Sequence, residues 1–536
     1  MNKKTIFVLV SISIISVLLT LVQKNPTPPC FNADEASFGY NAYSILKTGK
    51  DEYGAILPLR LKSFGDYKMP LYTYLTIPFI ALFGLNEFSA RFLNVILSAL
   101  LPFVVYLLTV ELFKNKRIGL LSAFLTSVSL GLHIISRQAH EAYLATTLTT
   151  ITVYLFLKVI HSYRIKWILL LFCSSFLLLF SYHPGRIFVA FLLGFSVLYT
   201  IKNGKKINSI SPLFSLLLLV LIGLFTLTDF AYKPERLKNL AFFNNAGFTL
   251  KVNELKIEGG IRYLYQPVFI GIKDIVQDHL SYFSPQFIFN GDENNRFGYK
   301  EMSIMTTIEY LFFIIGLYYI FKNKEKWRWF LLTLLFVSPL SASLSWSKGS
   351  LTRSLFILIP MTTLSAYGFY HLLSNSKKQI KPFVVFFSLS FFMFFLIFTW
   401  DFYLFHYSKR LVTIHSWQCG YKEVNSFIQQ NYNKYDKFYM TKEIGMPYIF
   451  TLFYLQYPPG KYQQQASLTK ADEYGFGQVE QFDKFIFSFK SPELSEKNSV
   501  VIGSVDDFKG LKNVDISKLQ TVTVNGEPMF QISGNK

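Results

Sequence analysis

PLYTYLTIPFIALFGL, residues 70–85, decides how the rest of the chain is threaded. It is apolar enough to suggest a membrane crossing, yet it has only 16 residues and an internal proline at Pro78. A helix needs about 20 predominantly apolar residues to cross a hydrocarbon core of about 30 Å. Counting this stretch as a crossing also reverses the side on which every later basic cluster falls. Those clusters are KNKR (114–117), YRIK (163–166), KNGKK (202–206), KNKEKWR (322–328) and KKQIK (377–381). Lys and Arg accumulate on the cytoplasmic side of membrane segments. With 70–85 read as an interfacial or re-entrant helix on the exterior face, all five clusters share the inner side with Lys3 and Lys4.

Working outward from that stretch, the spans run roughly 5–22, 89–113, 118–136, 141–160, 167–182, 187–201, 211–229, 304–321, 328–344, 354–373 and 382–405. That is about eleven crossings, an odd number, which places the N-terminus in the cytoplasm and the C-terminal segment outside. Residues 5–22 are taken as an uncleaved first span, because Gln-Lys-Asn-Pro-Thr-Pro-Pro follows rather than a small-residue cleavage site. The expected fold is therefore mainly α, a polytopic transmembrane helical bundle with exterior juxtamembrane helices and a small C-terminal α/β soluble domain. Its divisions are 1–405, a transmembrane domain with exterior loops at 23–88 and 230–303, and 406–536, an exterior soluble domain. In that domain YKEVNSFIQQNY (421–432) has helical spacing. KFIFSF (484–489), SVVIGSV (499–505) and TVTVNGEPMFQIS (521–533) read as strands, with Asn-Gly as a turn.

Composition agrees with a membrane protein. Hydrophobic residues make up 51% and charged residues 16%, too little charge to cover a soluble surface of this size. A net charge of +20 would suit nucleic acid, but the basic residues sit in short clusters between apolar runs, so no nucleic-acid partner is expected. Three cysteines form no disulfide framework and no zinc pattern. Cys173 lies in an apolar run, as a small core residue would. Cys30 and Cys419 share the exterior side, and neither spacing nor context decides whether they pair.

The polar residues with chemical potential gather on one side. Asp34 and Glu35 follow the proline-rich exit from the first span, either as helix N-terminal carboxylates or as reacting groups. Glu141 ends SRQAHE (136–141). Arg137 stands four residues earlier, on the same helical face if a helix begins that early, and a local ion pair would explain both. Exterior cations are Lys68 in GDYKMP, Arg186 in SYHPGR, and Lys348 and Arg353 in SWSKGSLTR. Each alone fits snorkelling to lipid headgroups. Together with exterior acids they suit a phosphate-bearing lipid, Arg bidentately and Lys as a point charge. No Gly-rich phosphate loop follows a strand, so no nucleotide pocket is expected.

The order of these segments resembles the C-type-fold membrane glycosyltransferases, in particular the protein O-mannosyltransferases and the lipid A aminoarabinose transferase. The carrying motifs are ADEASFGYNAYSILKTGKDEYGAILPL (33–59), GDYKMPLYTYL (65–75), FGLNEFSARFLN (83–94) with its Arg-led span, SRQAHEAYLA (136–145) and the late segments YFSPQFIFNGDENNRFG (282–298) and SPLSASLSWSKGSLTRSLFILIP (338–360). The resemblance implies a sugar transferred from a polyprenyl-phosphate donor to an acceptor hydroxyl at the outer membrane face, by inverting displacement. It implies Asp34 as catalytic carboxylate with Glu35 its neighbour, Lys68 at the donor phosphate and Glu141 as the second acid. The phosphate-binding set is completed by Arg137, Arg186, Lys348 and Arg353. No cofactor is required, no metal ligand is assigned, and a divalent metal stays open. Partners would be the donor, membrane lipids and an acceptor that is lipid, glycan or protein. Phe38 and Met69 depart from the relatives' pattern, so the sugar cannot be copied from them. A flippase for lipid-linked sugars, a glycan polymerase and a noncatalytic member of the fold are the competing readings. A transporter would distribute its polar residues along the spans rather than at one end.

Overall fold

The computed structural model describes all residues except 1, 23–26, 65, 163, 204–216, 228–241, 262, 347, 470–478, 493–494, 510, 512–513, 516–518 and 536. The chain divides into two compact units. One comprises Met1–Val22, Asn94–Lys233 and Leu237–Tyr403; the other comprises Gln23–Leu93, Pro234–Arg236 and Leu404–Lys536.

The first unit is helical. Among the described residues, five helices are long and apolar enough to cross a membrane: Lys3–Leu21, Glu87–Phe113, Glu141–Ser162, Leu351–Asn375 and Lys381–Lys409. A sixth candidate is the pair Lys116–Val128 and Leu130–Ser136, bent by 54° where one straight span, 118–136, was expected. The bend falls at Ser129, whose ψ of 114° is extended, so backbone carbonyls before it lose their helical donors. Trp400 Nε1 donates to Val128 O at 3.0 Å, and the His133 ring lies 2.8 Å from Ser127 O through Nε2. A broken helix at membrane depth requires such substitutes. Shorter apolar helices are Ile165–Leu179, Gly185–Tyr199, Leu217–Leu227 and Arg328–Ser343 in this unit, and Leu71–Phe83 in the other. Parts of the expected span 211–229 and of the loop from 230 lie outside the described residues.

Helices Thr307–Lys322 and Leu358–Asn375 cross through glycine. A Cβ on Gly316 would stand 2.1 Å from Leu364 O, and one on Gly368 2.1 Å from Phe312 O. Small residues allow that backbone approach, and the packing it permits drives helix association in lipid. Cys173, expected in the core, instead lies on the exposed face of its helix. In an apolar helix that face meets lipid, and a thiol there costs little.

The second unit joins the first loop to the C-terminal segment, whereas the expected division grouped that loop with the helical bundle. Two apolar contacts and a hydrogen bond knit them. Phe31 packs 4.6 Å from the Phe453 ring, and Gly39 lies where a Cβ would meet Phe453 at 2.6 Å. Tyr40 Oη donates to Tyr457 O at 2.9 Å. Cys30 and Cys419 are joined by a disulfide, Cα–Cα 5.4 Å.

Strands β1 (Leu61–Ser63) and β2 (Asp66–Lys68) form a hairpin with Leu61 opposite Lys68. The C-terminal segment contributes β3 (Lys437–Met440), β4 (Ser467–Leu468), β5 (Val479–Phe482), β6 (Phe485–Ile486), β7 (Ser499–Ser504), β8 (Gln520–Val524) and β9 (Glu527–Asn535). They form one sheet in the order β4-β5-β6-β3-β7-β9-β8. β3 runs parallel to both neighbours, and every residue of the adjacent β7 is buried, as expected of a strand covered on both faces. Val524 pairs with Glu527 around Asn525 and Gly526, at φ 52° and 86°. Two left-handed residues are what a two-residue hairpin turn demands, and Asn-Gly supplies them at least cost. The helix read at 421–432 is Tyr421–Asn431.

Candidate active site

Asn32 sets the local geometry. Its side chain accepts the N–H groups of Asp34 at 3.0 Å and Glu35 at 3.2 Å, while Glu35 Oε2 accepts the N–H of Asn32 at 3.2 Å. This reciprocal capping starts the helix Ala33–Thr48, which Gly49 closes at φ 71°. The two adjacent carboxylates then separate in environment. Glu35 is buried, 1% exposed, and chelated by Arg91: Nε to Oε1 at 2.7 Å and Nη2 to Oε2 at 2.8 Å. Arg91 also donates to Cys30 O at 3.0 Å. Both oxygens of Glu35 are thus committed to the scaffold.

Asp34 is the open member of the pair. Its side chain is 40% exposed, and Lys68 Nζ lies 2.8 Å from Oδ1. Lys68 comes from β2 and is only 14% exposed, held over the rings of Phe38 at 4.8 Å and Phe64 at 4.7 Å. Phe38 is therefore one wall of the ammonium's seat. An ion pair this exposed contributes at most about 1 kcal/mol, so an incoming anion can compete for Lys68. The helix N-terminus stabilises Asp34 as a carboxylate.

A further carboxyl lies deeper in the same unit. Glu52, in the second Asp-Glu pair of the loop, is 1% exposed, and among the described residues neither of its oxygens is met by a hydrogen bond of good geometry. Burial pushes it up to about 8, reinforced by Asp51 and opposed by the Asn41 side chain and then by Lys68. Neither Glu52 nor Arg91 was singled out from the sequence. Arg91 had a signal, an Arg leading a span from the exterior. Glu52 had only a repeat of the Asp-Glu dipeptide.

The remaining candidates belong to the helical unit. Helix Leu130–Ser136 ends at Arg137, and the next helix begins at Glu141, so the i,i+4 face expected for the two does not form. Arg137 is buried and caps another helix: Nη1 donates to Leu19 O at 2.6 Å and Nη2 to Val22 O. That occupation explains a cation at a helix break, since the last carbonyls of a helix need donors. His140 Nδ1 accepts the N–H of Ala142 at 3.0 Å, and Glu141 is 9% exposed.

Arg353 and Lys348 stand on the 345–353 turn, which the second loop holds from three directions. Asp292 Oδ2 accepts Leu351 N–H at 2.7 Å, Tyr282 Oη accepts Ser350 N–H at 2.9 Å, and Trp346 packs 5.5 Å from the Phe242 ring. Arg353 Nη1 donates to Ser345 Oγ at 2.8 Å. Burial raises Asp292 to about 7 and Asp278 to about 6, the latter against the favourable charge of Lys348. Arg186 is half-buried over the Phe225 ring at 4.8 Å, and Lys348 is exposed.

A small pocket, with about 10 Å³ of free space, is lined by residues of three segments singled out above: Ala142 and Ala145 from the helix that Glu141 begins, Tyr182 and Gly185 from SYHPGR, and Thr352 and Arg353. The helical unit thus gathers Arg353 with threonines, Tyr182 and apolar side chains, and the other unit gathers Asp34, Glu35 and Lys68. Among the described residues no group of three or more His, Cys, Asp or Glu side chains is placed to hold a metal ion.

With this geometry in hand, residues 67–227 match the family described as dolichyl-phosphate-mannose-protein mannosyltransferase. The fold is similar to that of ArnT from Cupriavidus metallidurans in the apo state (TM-score 0.54, 10% identity, covering 98% of this chain and 97% of that one). It is also similar to the same protein bound to undecaprenyl phosphate (TM-score 0.50, 10% identity, 99% and 98%). The Archaeoglobus fulgidus oligosaccharyltransferase in complex with zinc and sulfate gives TM-score 0.52 at 14% identity over 83% of this chain. The chain spans only 61% of that enzyme's length. No curated protein matches it in sequence. Identities this low speak to fold. The likeness is thus one of fold, with a family match over residues 67–227.

Proposed function

We propose that this protein transfers a sugar from a polyprenyl-phosphate donor to an acceptor hydroxyl at the outer membrane face, with Asp34 as general base. The observation that carries the proposal is the contrast within one dipeptide. Glu35 is consumed by Arg91, while Asp34 is 40% exposed with Lys68 Nζ at 2.8 Å. A base and a cation that can be drawn off by a phosphate are what a one-step displacement needs.

In that step Asp34 takes the proton of the acceptor hydroxyl as its oxygen bonds to the anomeric carbon. The bond from that carbon to the phosphate oxygen breaks, the electron pair leaves on phosphate, and configuration inverts. Lys68 stabilises the developing charge. In the helical unit, the Arg353 guanidinium has the chemistry to engage a polyprenyl phosphate, and undecaprenyl phosphate bound to ArnT supports that ligand class. Arg186 and Lys348 are weaker members of the cation set, and Arg137 is assigned to capping instead. Glu141 is the second carboxylate of the proposal. About eleven crossings, a cytoplasmic N-terminus and an exterior C-terminal domain complete it, resting on the charge clusters.

The test is transfer from a panel of radiolabelled polyprenyl-phosphate sugars by the protein in reconstituted vesicles, with the anomeric configuration of product and donor compared. Transfer with inversion is expected. Retention of configuration contradicts a direct displacement, and movement of lipid-linked sugar across the bilayer without transfer overturns the enzyme in favour of a flippase.

A further inference from the structure

The helix Pro267–Ser281 carries an apolar stripe that the protein leaves uncovered. Val268, Ile272, Val276 and Leu280 recur at every fourth residue and are 58%, 53%, 52% and 58% exposed, with Phe269 beside them at 59%. At 3.6 residues per turn these five share one side of the helix. The opposite side is buried: Ile270 packs in a cluster with Phe242, Phe248 and Val252, and Asp278 is buried too, while His279 at the end of the stripe's own side is covered by Phe336. A contiguous apolar face of this kind on a stable helix marks an interaction surface.

Its surroundings identify the occupant. His279 seats the end of the helix on the end of the apolar helix Arg328–Val337, its ring 4.5 Å from that of Phe336 and its Nδ1 3.0 Å from Ser343 Oγ. Phe336 is itself 55% exposed, an aromatic facing outward from an apolar helix. The stripe therefore continues a lipid-facing surface. Lys273, 69% exposed, flanks the stripe, and Ile261, Tyr263 and Leu264 precede the helix at 65%, 81% and 58% exposure. Aromatic and apolar residues with a lysine at their edge are the composition of a helix lying in a bilayer interface.

We propose that Pro267–Ser281 lies flat in the headgroup region of the bilayer with its stripe in the acyl chains, and so fixes the depth of the 345–353 turn. The link to the turn is on its other side, through Tyr282 Oη at Ser350 N–H and through the aromatic cluster that holds Trp346. The membrane placement does not depend on the reaction proposed above. Only its consequence, that Lys348 and Arg353 are held at phosphate height, rests on that reading.

The test uses a Cys173→Ser background, because Cys30 and Cys419 are paired and Cys173 is the free thiol. Val276→Cys, labelled with a nitrobenzoxadiazole fluorophore, is placed in phosphatidylethanolamine–phosphatidylglycerol vesicles. Quenching by spin-labelled lipids and by aqueous iodide is then compared with two references. Phe336→Cys reports lipid, and Asp506→Cys, at a carboxylate 83% exposed on the α/β segment, reports water. The proposal expects lipid quenching at 276 within about twofold of that at 336 and weak iodide quenching, as interfacial burial of an apolar face requires. Iodide quenching equal to that at 506 overturns it. Protection from both quenchers also overturns it, by showing that a protein surface covers the stripe. Circular dichroism and unchanged elution of the labelled variants exclude misfolding as the cause.

Discussion

Replacing Glu35 with Gln tests whether this carboxylate is scaffold or chemistry. The side chain is 1% exposed, makes two short bonds to Arg91, and accepts the Asn32 N–H that closes the capping box. Gln keeps the shape but removes the charge, leaving Arg91 with one side-chain acceptor beside Cys30 O and a misdirected amide. Removing one partner of a buried ion pair costs about 3–5 kcal/mol, mostly the penalty of the charge left behind. At about 2–4 °C per kcal/mol for a unit of this size, a loss of about 4 kcal/mol lowers the unfolding temperature by about 8–16 °C. The assay is thermal unfolding of the purified protein followed by tryptophan fluorescence, with transfer measured well below the transition. Asp34→Asn is the internal control, since its partly exposed pair contributes at most about 1 kcal/mol. Glu35→Met combined with Arg91→Met should recover part of the loss, because matched apolar replacement removes both charges. An unfolding temperature unchanged in Glu35→Gln, together with abolished transfer, would refute the reasoning and return Glu35 to the catalytic set.

Three other expectations concern the same unit. Glu52 titrates near 8 when folded against a reference value of 4.5, so the folded state binds the extra proton between those values. Stability is therefore complete below about pH 4.5, falls as pH rises, and levels off above about 8. Glu52→Gln should remove that slope and leave the variant about 3 kcal/mol ahead at pH 7; parallel pH profiles would contradict it. Lys68→Met should weaken binding of the donor phosphate by about 10- to 100-fold, the range for a hydrogen bond to a charged group, with little change in unfolding temperature. Equal donor affinity in equilibrium binding removes Lys68 from the site. Reducing the Cys30–Cys419 bond, which closes a separation of 389 residues, releases a constraint with a chain-entropy ceiling of about 6 kcal/mol. Unfolding should shift downward by several degrees in reductant, and the Cys30→Ser variant should show the same shift without reductant; no shift in either would show the link to be dispensable.

Much of this arrangement follows from local sequence. Asn32 and Glu35 at capping-box spacing start a helix wherever they occur, and Asn525-Gly526 turns β8 into β9 for equally local reasons. The apolar runs announce the long helices by length alone. What escaped depends on partners distant in sequence. The bend at Ser129 becomes tolerable because Trp400, 272 residues on, donates to the freed carbonyl of Val128, and nothing in residues 118–136 encodes that. Arg137 looked like a phosphate ligand or the partner of Glu141 because its carbonyl acceptors lie in the first helix. The grouping of the first loop with the C-terminal segment rests on contacts such as Phe31 with Phe453 and on a disulfide that spacing could not decide. Within the site, Asp34 and Lys68 were named from their motifs. The difference between Asp34 and Glu35 was not legible, since it is set by which one Arg91 reaches.

The most direct measurement is single-turnover sugar transfer by Asp34→Asn and Asp34→Glu in vesicles, with equilibrium binding of the same polyprenyl-phosphate donor measured in parallel. A positioned general base contributes about 10²- to 10⁴-fold, so the Asn variant should lose transfer by that factor while binding donor normally, and the Glu variant should recover part of the rate. Transfer that persists in Asp34→Asn at the wild-type rate would contradict the account and shift attention to Glu141.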